Sequence, residues 1–204
     1  MLPDTFYHIY NRGINGQNIF FEERNYPYFL KKMGQYVSPY MDVYAYCLLG
    51  NHFHLLVRTK NETDLPMPSL EAKASVNTKA TRNTSWHLSN AFASLFKSYA
   101  QAINKHYGRT GGFFEEPFHR IEVKSDAYFS QLVWYIHHNP QKHGFLSDFR
   151  DYPHSSYHSH LHQKATKLQR TEVLNWFGDA NEYIKYHNIQ TGEDDIRNLI
   201  VEFD

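Results

Sequence analysis

The stretch Cys47-Leu-Leu-Gly-Asn-His52-Phe-His54-Leu-Leu-Val-Arg58 decides the fold of this chain. Apolar runs over 43–49 and 53–57 flank a Gly-Asn pair that favours a tight turn, so the sequence predicts a β-hairpin. Because side chains alternate along a strand, His52 and His54 point to the same side of the sheet. Two imidazoles on one face supply two ligands of a divalent metal site, although such a pair alone is more often two ordinary edge-strand histidines.

Composition limits the class of protein. The 204 residues, 41% of them hydrophobic and 17% aromatic, suit one domain with a substantial core. A single cysteine, Cys47, excludes an internal disulfide framework. The sequence shows neither a long apolar run nor a signal peptide, so a cytoplasmic protein is expected. The net charge is zero, yet residues 73–124 are basic and those after 171 acidic, which is compatible with a polyanion bound on one face.

The periodicity of the rest of the chain predicts strands and helices around the hairpin. Alternating residues predict strands over 5–11 and 118–123, and helical spacing predicts helices over 25–37, 85–108 and 126–140. Pro140 is expected to end the last of these helices. The order strand, helix, hairpin, helix, strand, helix indicates an α+β fold, with a central antiparallel sheet and helices packed mainly on one face.

A second stretch, Tyr135-Ile-His-His-Asn139-Pro140, favours a functional role for the histidine pair. Tyr135 and Asn139 are four residues apart on the last helix and therefore share one face. Leu132 and Ile136 lie on another face, so Tyr135 is expected to point away from the deepest core. Taken singly, Tyr135 is an ordinary half-exposed helix residue and Asn139 a helix cap before proline.

Together the two stretches predict metal-dependent chemistry on a phosphodiester. If the helix crosses beneath the hairpin, the amide oxygen of Asn139 joins His52 and His54 around Mg²⁺ or Mn²⁺, leaving positions open for a phosphate oxygen. Tyr135 is then the candidate nucleophile, because a phosphotyrosine conserves the energy of the broken bond and strand joining needs no ATP. Tyrosine titrates near pH 10, so the phenol needs the metal or a basic neighbour to lose its proton.

The same residues carry a resemblance to a known family. The segment around His52 and His54 resembles the His-hydrophobic-His (HUH) motif of the IS200-like single-tyrosine transposases. The segment Tyr135-Ile-His-His-Asn-Pro-Gln-Lys-His-Gly144 resembles the signature of the REP-associated tyrosine transposases, which begins with the catalytic tyrosine. Segments 7–13, 114–122, 152–157 and 176–178 are also similar to parts of that family.

This resemblance implies a ferredoxin-like or RRM-like sandwich that cleaves and rejoins single-stranded DNA beside REP-like hairpin palindromes. It assigns the metal, Mg²⁺ or Mn²⁺, to His52, His54 and Asn139. It assigns the nucleophile, through a covalent 5′-phosphotyrosine, to Tyr135. In insertion-sequence relatives a glutamine usually stands where this chain has Asn139, which has the shorter reach.

The resemblance also organises the chain into two segments. Residues 1–158 are expected to form the HUH transposase domain, with a long loop over 60–85. Residues 159–204 are expected to form a partly helical C-terminal extension, in which a helix over 171–187 breaks at Gly178. A monomer is favoured and a homodimer remains possible.

Polar and basic residues near these motifs are the candidate DNA contacts. They are Asn11, Arg12, Arg58, Arg120, Lys124, Lys142 and His143. Three aromatic residues beside them, Tyr10, Phe113 and Phe114, are candidates for stacking on unpaired bases, although aromatic residues serve more often in a core.

Three alternatives stay open. One is a hairpin-DNA-binding protein of the same fold that is catalytically silent. Another is a hydrolase in which His52, His54 and a further histidine hold zinc and water attacks, which leaves Tyr135 without a role. The third is an interaction protein whose histidine-rich segment 154–162 binds metal adventitiously.

Overall fold

A four-stranded antiparallel sheet forms the centre of the computed structural model, which describes residues 1–66 and 84–189. The strands are β1 (Phe6–Arg12), β2 (Met41–Leu48), β3 (His52–Thr59) and β4 (His119–Glu122). Their order across the sheet is β2-β3-β1-β4, and every neighbouring pair is antiparallel. The predicted α+β class, its antiparallel sheet and the hairpin are confirmed.

The described helices alternate with these strands and then follow them. Their bounds are α1 (Asn25–Tyr36), α2 (Thr84–Tyr107), α3 (Asp126–Lys142), α4 (Tyr157–Leu161), α5 (Arg170–Phe177) and α6 (Ala180–Asn188). Short 3₁₀ turns lie at Ile14–Gly16, Glu62–Asp64 and Phe149–Asp151. No helix in the described ranges is long and apolar enough to cross a membrane.

The helices cover both faces of the sheet rather than mainly one, which corrects the expected layering. One face, with Ile9, Phe53 and Leu55, packs in a cluster with α1 and α2. The opposite face, with Ala45 and Leu56, packs with α3 and residues of α5 and α6. The physical reason is that Leu55, Leu56 and Val57 follow one another in β3, because a strand with successive apolar side chains must be buried on both sides.

A β-bulge in β2 adapts that strand to the α3 side of the sheet. The register of β2 against β3 shifts between Val43 and Ala45. Because of this extra residue, Tyr44 and Ala45 both join the cluster under α3, while Val43 stays in the cluster under α1.

Helix α3 begins at the predicted residue, Asp126, and ends later than the sequence predicts. Ser125 caps it, since its Oγ accepts a hydrogen bond from the backbone N–H of Tyr128 at 3.2 Å. Pro140 lies inside the helix, which continues to Lys142, so the expectation that Pro140 ends it is wrong. A proline this close to the end removes one backbone donor of the last turn, and the N–H of His143 still reaches the carbonyl of Asn139 at 3.0 Å.

The C-terminal helices pack against the sheet and α3. The Tyr44 hydroxyl donates to Glu172 on α5 at 2.6 Å, and Tyr183 of α6 is fully buried. Gly178, with φ of 107°, separates α5 from α6 at the predicted break. The boundary at residue 158 stays a prediction, and most of the predicted 60–85 loop and residues 190–204 lie outside the described residues.

Three buried histidines lie where α3 meets this C-terminal segment. His137 Nδ1 hydrogen-bonds with His187 Nε2 at 2.9 Å, and His137 Nε2 with Ser156 Oγ at 2.8 Å. The His160 ring lies 5.9 Å from that of His137. Burial lowers the pKa of His137 well below its usual value, that of His160 to about 4 and that of His187 to about 3. All three are therefore neutral in the folded protein near pH 7.

These histidines predict that the protein loses stability as the pH falls from about 6.5 toward 4. The unfolded chain takes up protons below about pH 6.5 while the folded chain does not, so the free energy of unfolding falls by about 1.4 kcal/mol per pH unit for each such histidine. Urea titrations at pH 7.5, 6 and 5 measure this slope. His160→Phe should make the slope shallower; equal stability at pH 7.5 and 5 would contradict the prediction.

Candidate active site

Two strands and one helix bring the candidate active-site residues together. Antiparallel pairing sets Tyr10 opposite His54 and Arg12 opposite His52, on the sheet face that we call the histidine face. Helix α3 packs against this face, in contact with β2 and β3, so it crosses beneath the hairpin as predicted. Because α3 repeats every 3.6 residues, Tyr135 and Asn139 lie one turn apart on its sheet-facing side.

The two histidines form a buried, ordered pair. His52 is 7% exposed and His54 2% exposed, and their ring centroids are 5.3 Å apart at 88°. His52 Nδ1 lies 2.7 Å from Asn51 Oδ1, and His54 Nδ1 lies 3.0 Å from His8 Nε2. Since the Nδ1 atoms are engaged within the protein, Nε2 is the nitrogen that each ring can offer to a metal.

Both histidines are electrically neutral at pH 7. Burial lowers the pKa of His52 to about 4, assisted by the nearby His143, and lowers the pKa of His54 well below its usual value. The neutral imidazole is the form that binds metal ions, so both rings can bind a metal without first losing a proton.

Asn139 supplies an oxygen beside the pair. It is fully buried, and its Nδ2 donates to the carbonyl of Tyr135 at 3.3 Å. The amide is close enough to His52 to raise the pKa of that ring against the effect of burial. Apart from this contact with His52, its Oδ1 has no hydrogen-bond partner. A buried amide oxygen without a partner is destabilising, so a cation at this oxygen would satisfy an unmet group.

The donor set fits a divalent ion that accepts nitrogen and oxygen ligands. Within the ranges that the structure describes, no three His, Cys, Asp or Glu residues are grouped so as to hold a metal. A metal centre on the histidine face therefore depends on the amide of Asn139 in addition to His52 and His54. Two imidazoles and one neutral oxygen could hold such an ion and would leave further positions open, unlike a closed structural zinc site.

Tyr135 faces the histidines from α3. Its ring centroid is 5.4 Å from that of His54 at 81°, and the Lys142 ammonium is 5.5 Å from the ring centroid. The side chain is only 3% exposed, so the expectation that Tyr135 points away from the core is wrong. The sheet and α3 pack closely enough that Tyr135 is also buried, although it lies on a different side of the helix from Leu132.

The structure brings only some of the predicted DNA contacts to this site. Lys142 and His143 lie at its edge, with the His143 ring 5.0 Å from that of His52. Arg12 shares the histidine face and forms an ion pair with Glu115 at 2.7 Å. These residues can meet a phosphate approaching the site.

The other predicted DNA contacts lie elsewhere. Arg58 is six residues from His52 along β3, roughly 20 Å, and forms an ion pair with Asp4 at 2.6 Å. Asn11 and Arg120 face the opposite side of the sheet, because they pair with Phe53 and Ile9. Lys124 is exposed beyond the end of β4.

The predicted base-stacking residues are core residues instead. Tyr10, Phe113 and Phe114 are all at least nine-tenths buried. Phe145 is 49% exposed and lies over the hairpin turn, where a Cβ at Gly50 would be 3.9 Å from its Cε1 atom. Sequence reasoning missed Phe145, since only the fold places it beside Gly50 of the hairpin turn.

Comparisons with known proteins identify chains of similar sequence and similar fold. No protein-family model matches the chain. The chain is 23% identical over 156 residues to a REP-associated tyrosine transposase of Haemophilus influenzae, covering 72% of this chain and 80% of that protein. A solved structure of a REP-associated tyrosine transposase bound to a REP hairpin matches with a TM-score of 0.55 and 15% identity, over 78% of this chain and 81% of that one.

The fold is therefore that of a tyrosine transposase. The sequence relative and the fold together support the family that the motifs indicate, the REP-associated tyrosine transposases.

The buried oxygen of Asn139 leads to a prediction that separates stability from metal binding. Asn139→Leu keeps the branched shape of the side chain and removes both Oδ1 and the 3.3 Å hydrogen bond from Nδ2 to the Tyr135 carbonyl. The metal-free protein should therefore stay within about 1 kcal/mol of wild-type stability. The same variant should lose most of the rise in melting temperature that Mn²⁺ gives the wild type.

Thermal melts with and without Mn²⁺ measure both effects, and Asn188→Leu on exposed α6 serves as the matched control. Full Mn²⁺ stabilisation of Asn139→Leu would remove Asn139 from the ligand set.

Proposed function

We propose that this chain is a metal-dependent single-stranded DNA endonuclease and transposase that acts through a covalent 5′-phosphotyrosine. Its similarity to tyrosine transposases supports a DNA-processing role. The observation that carries the finer proposal is the packing of Tyr135 against His54, with the buried amide of Asn139 one helical turn away beside His52.

His52, His54 and Asn139 would hold the metal, through Nε2 of each histidine and Oδ1 of the amide. Bound there, Mg²⁺ or Mn²⁺ supplies Lewis-acid polarisation of a phosphate oxygen. The protein prepares this place in advance, because burial keeps both rings neutral and Asn51 and His8 hold their Nδ1 atoms.

Tyr135 would attack the phosphorus of the scissile phosphodiester. Its phenol oxygen forms a bond to phosphorus, the bond from phosphorus to the 3′ oxygen breaks, and the 3′ oxygen leaves with a proton as a free hydroxyl. The Lys142 side-chain nitrogen lies 5.5 Å from the centre of the Tyr135 ring, so a basic group stands beside the proposed nucleophile. The reverse reaction, with a 3′ hydroxyl attacking the phosphotyrosine, rejoins DNA without an external energy source.

Hairpin DNA is the proposed partner. The structural neighbour is bound to a REP hairpin, and REP-like palindromes are the corresponding substrate class for this chain. Lys142, His143 and Arg12 are placed to contact phosphates at the edge of the site, while exposed Phe145 can stack on an unpaired base beside the hairpin. The monomeric state and the cytoplasmic location stay predictions.

Tyr135→Phe tests the proposed chemistry directly. The variant removes only the hydroxyl, so it should bind a hairpin oligonucleotide with wild-type affinity and should form no covalent adduct and no cleaved product. Wild type with Mg²⁺ or Mn²⁺ should give a protein–DNA adduct on a denaturing gel. Tyr28→Phe, on the half-buried surface of α1, is the matched control and should cleave normally.

Other outcomes would favour the alternatives. Cleavage that persists in Tyr135→Phe without an adduct indicates a hydrolase in which water attacks. Hairpin binding without cleavage under any divalent metal indicates a catalytically silent binding protein.

Phe145→Ala should weaken binding of hairpins that carry an unpaired flank by roughly 5- to 100-fold, which corresponds to about 1–3 kcal/mol for one stacked base. A blunt hairpin should bind Phe145→Ala and wild type equally, because it offers no unpaired base. Phe145→Tyr should retain the affinity, and Trp86→Ala on α2 provides an exposed aromatic control. Fluorescence anisotropy measures the dissociation constants, and equal losses for both DNAs would contradict base stacking.

A further inference from the structure

His8 lies directly behind the histidine pair, and beyond its contact with Nδ1 of His54 the chemistry proposed above gives it no part in the reaction. His8 lies on β1 opposite Leu56 and is the diagonal neighbour of His54 on the same face of the sheet. Its side chain is buried, with 1% exposed. Its Nε2 is 3.0 Å from Nδ1 of His54, and the two rings are nearly parallel with centroids 5.2 Å apart. The Tyr135 ring meets the His8 ring edge-on at 6.3 Å.

The contact between the two nitrogens admits only two arrangements of protons when both rings are neutral. In one, His8 donates from Nε2, His54 accepts at Nδ1, and the proton of His54 is on its Nε2. In the other, His54 donates from Nδ1 and its Nε2 carries a lone pair. Only the second arrangement lets His54 bind a metal, because a protonated ring nitrogen has no lone pair to offer.

His52, the other histidine of the pair, is held differently. His52 Nδ1 meets the side-chain oxygen of Asn51 at 2.7 Å, and an amide oxygen can only accept. The proton of His52 is therefore fixed on Nδ1 without further help. At His54 the corresponding partner is an imidazole, which accepts or donates according to its own tautomer, so the state of His8 decides the state of His54.

We propose that His8 is a positioning residue: it accepts a hydrogen bond from Nδ1–H of His54, and this fixes the tautomer and ring orientation with which His54 Nε2 binds the metal. The part of the proposal that concerns metal affinity rests on the proposed function. The part that concerns the tautomer rests on the His8–His54 contact alone. In this proposal His8 acts through His54.

The sequence contains a signal for this role. His8 and Tyr10 alternate on β1 in the way that His52 and His54 alternate on β3, so both pairs share one face once the strands are antiparallel neighbours. The strand register was needed to show that His8, rather than another residue of β1, stands behind His54.

Two variants and two measurements test the proposal. His8→Leu removes the acceptor at similar volume, while His8→Gln keeps an oxygen that can accept from Nδ1–H. Long-range proton–nitrogen NMR on metal-free protein reports which nitrogen of His54 carries the proton, and calorimetric titration with Mn²⁺ reports affinity. We expect Nδ1–H at His54 in wild type and in His8→Gln, and a roughly 10- to 100-fold loss of Mn²⁺ affinity in His8→Leu only.

The outcomes separate this proposal from the proposed function. A proton on Nε2 of His54 in the wild type overturns the role of His8, and so does equal Mn²⁺ affinity in wild type and His8→Leu. Nδ1–H at His54 in a wild type that binds no Mn²⁺ supports the hydrogen bond and refutes the metal centre instead. If His8→Leu does not fold, the NMR of the wild type and of His8→Gln decides.

Discussion

The packing of α3 against the histidine face is the interaction on which the site depends. Apolar residues of α3, among them Phe129, Leu132 and Ile136, hold the helix on the sheet, where they bury area that the hydrophobic effect rewards. The same contact fixes the rotation of the helix about its axis. As a result Tyr135 and Asn139 can only face His54 and His52, and a small rotation would separate the nucleophile from the candidate metal ligands.

Burial on both sides of the sheet sets the chemistry of the site. Helix α3 covers the histidine face, where His52 and His54 are neutral and little exposed. The same helix contributes Asn139 Oδ1, a buried oxygen that meets no hydrogen-bond donor apart from its contact with His52. Buried polar groups with unmet hydrogen bonds destabilise a fold and are retained where function requires them. The buried oxygen and the neutral histidines together therefore support a ligand site more strongly than either does alone.

Local sequence patterns predicted most of the helices and strands. The features that they could not predict depend on contacts between residues that are far apart in the sequence. The hairpin, the shared face of His52 and His54 and the one-turn spacing of Tyr135 and Asn139 follow from the periods of strand and helix. The layering of helices on both faces was missed, although the successive apolar residues of β3 are a signal for it. The pairing of His8 with His54 and the position of Phe145 over the turn depend on register and on loop path, which no short stretch of sequence encodes.

The central claim is that Tyr135, among the sixteen tyrosines of the chain, becomes joined to DNA. The most direct test is mass spectrometry of peptides from wild-type protein that has been incubated with Mn²⁺ and a cleavable hairpin and then treated with nuclease. The account predicts a nucleotide phosphate on the peptide that contains Tyr135 and on no other. A nucleotide on a different tyrosine, or a cleaved hairpin with every tyrosine unmodified, would contradict it.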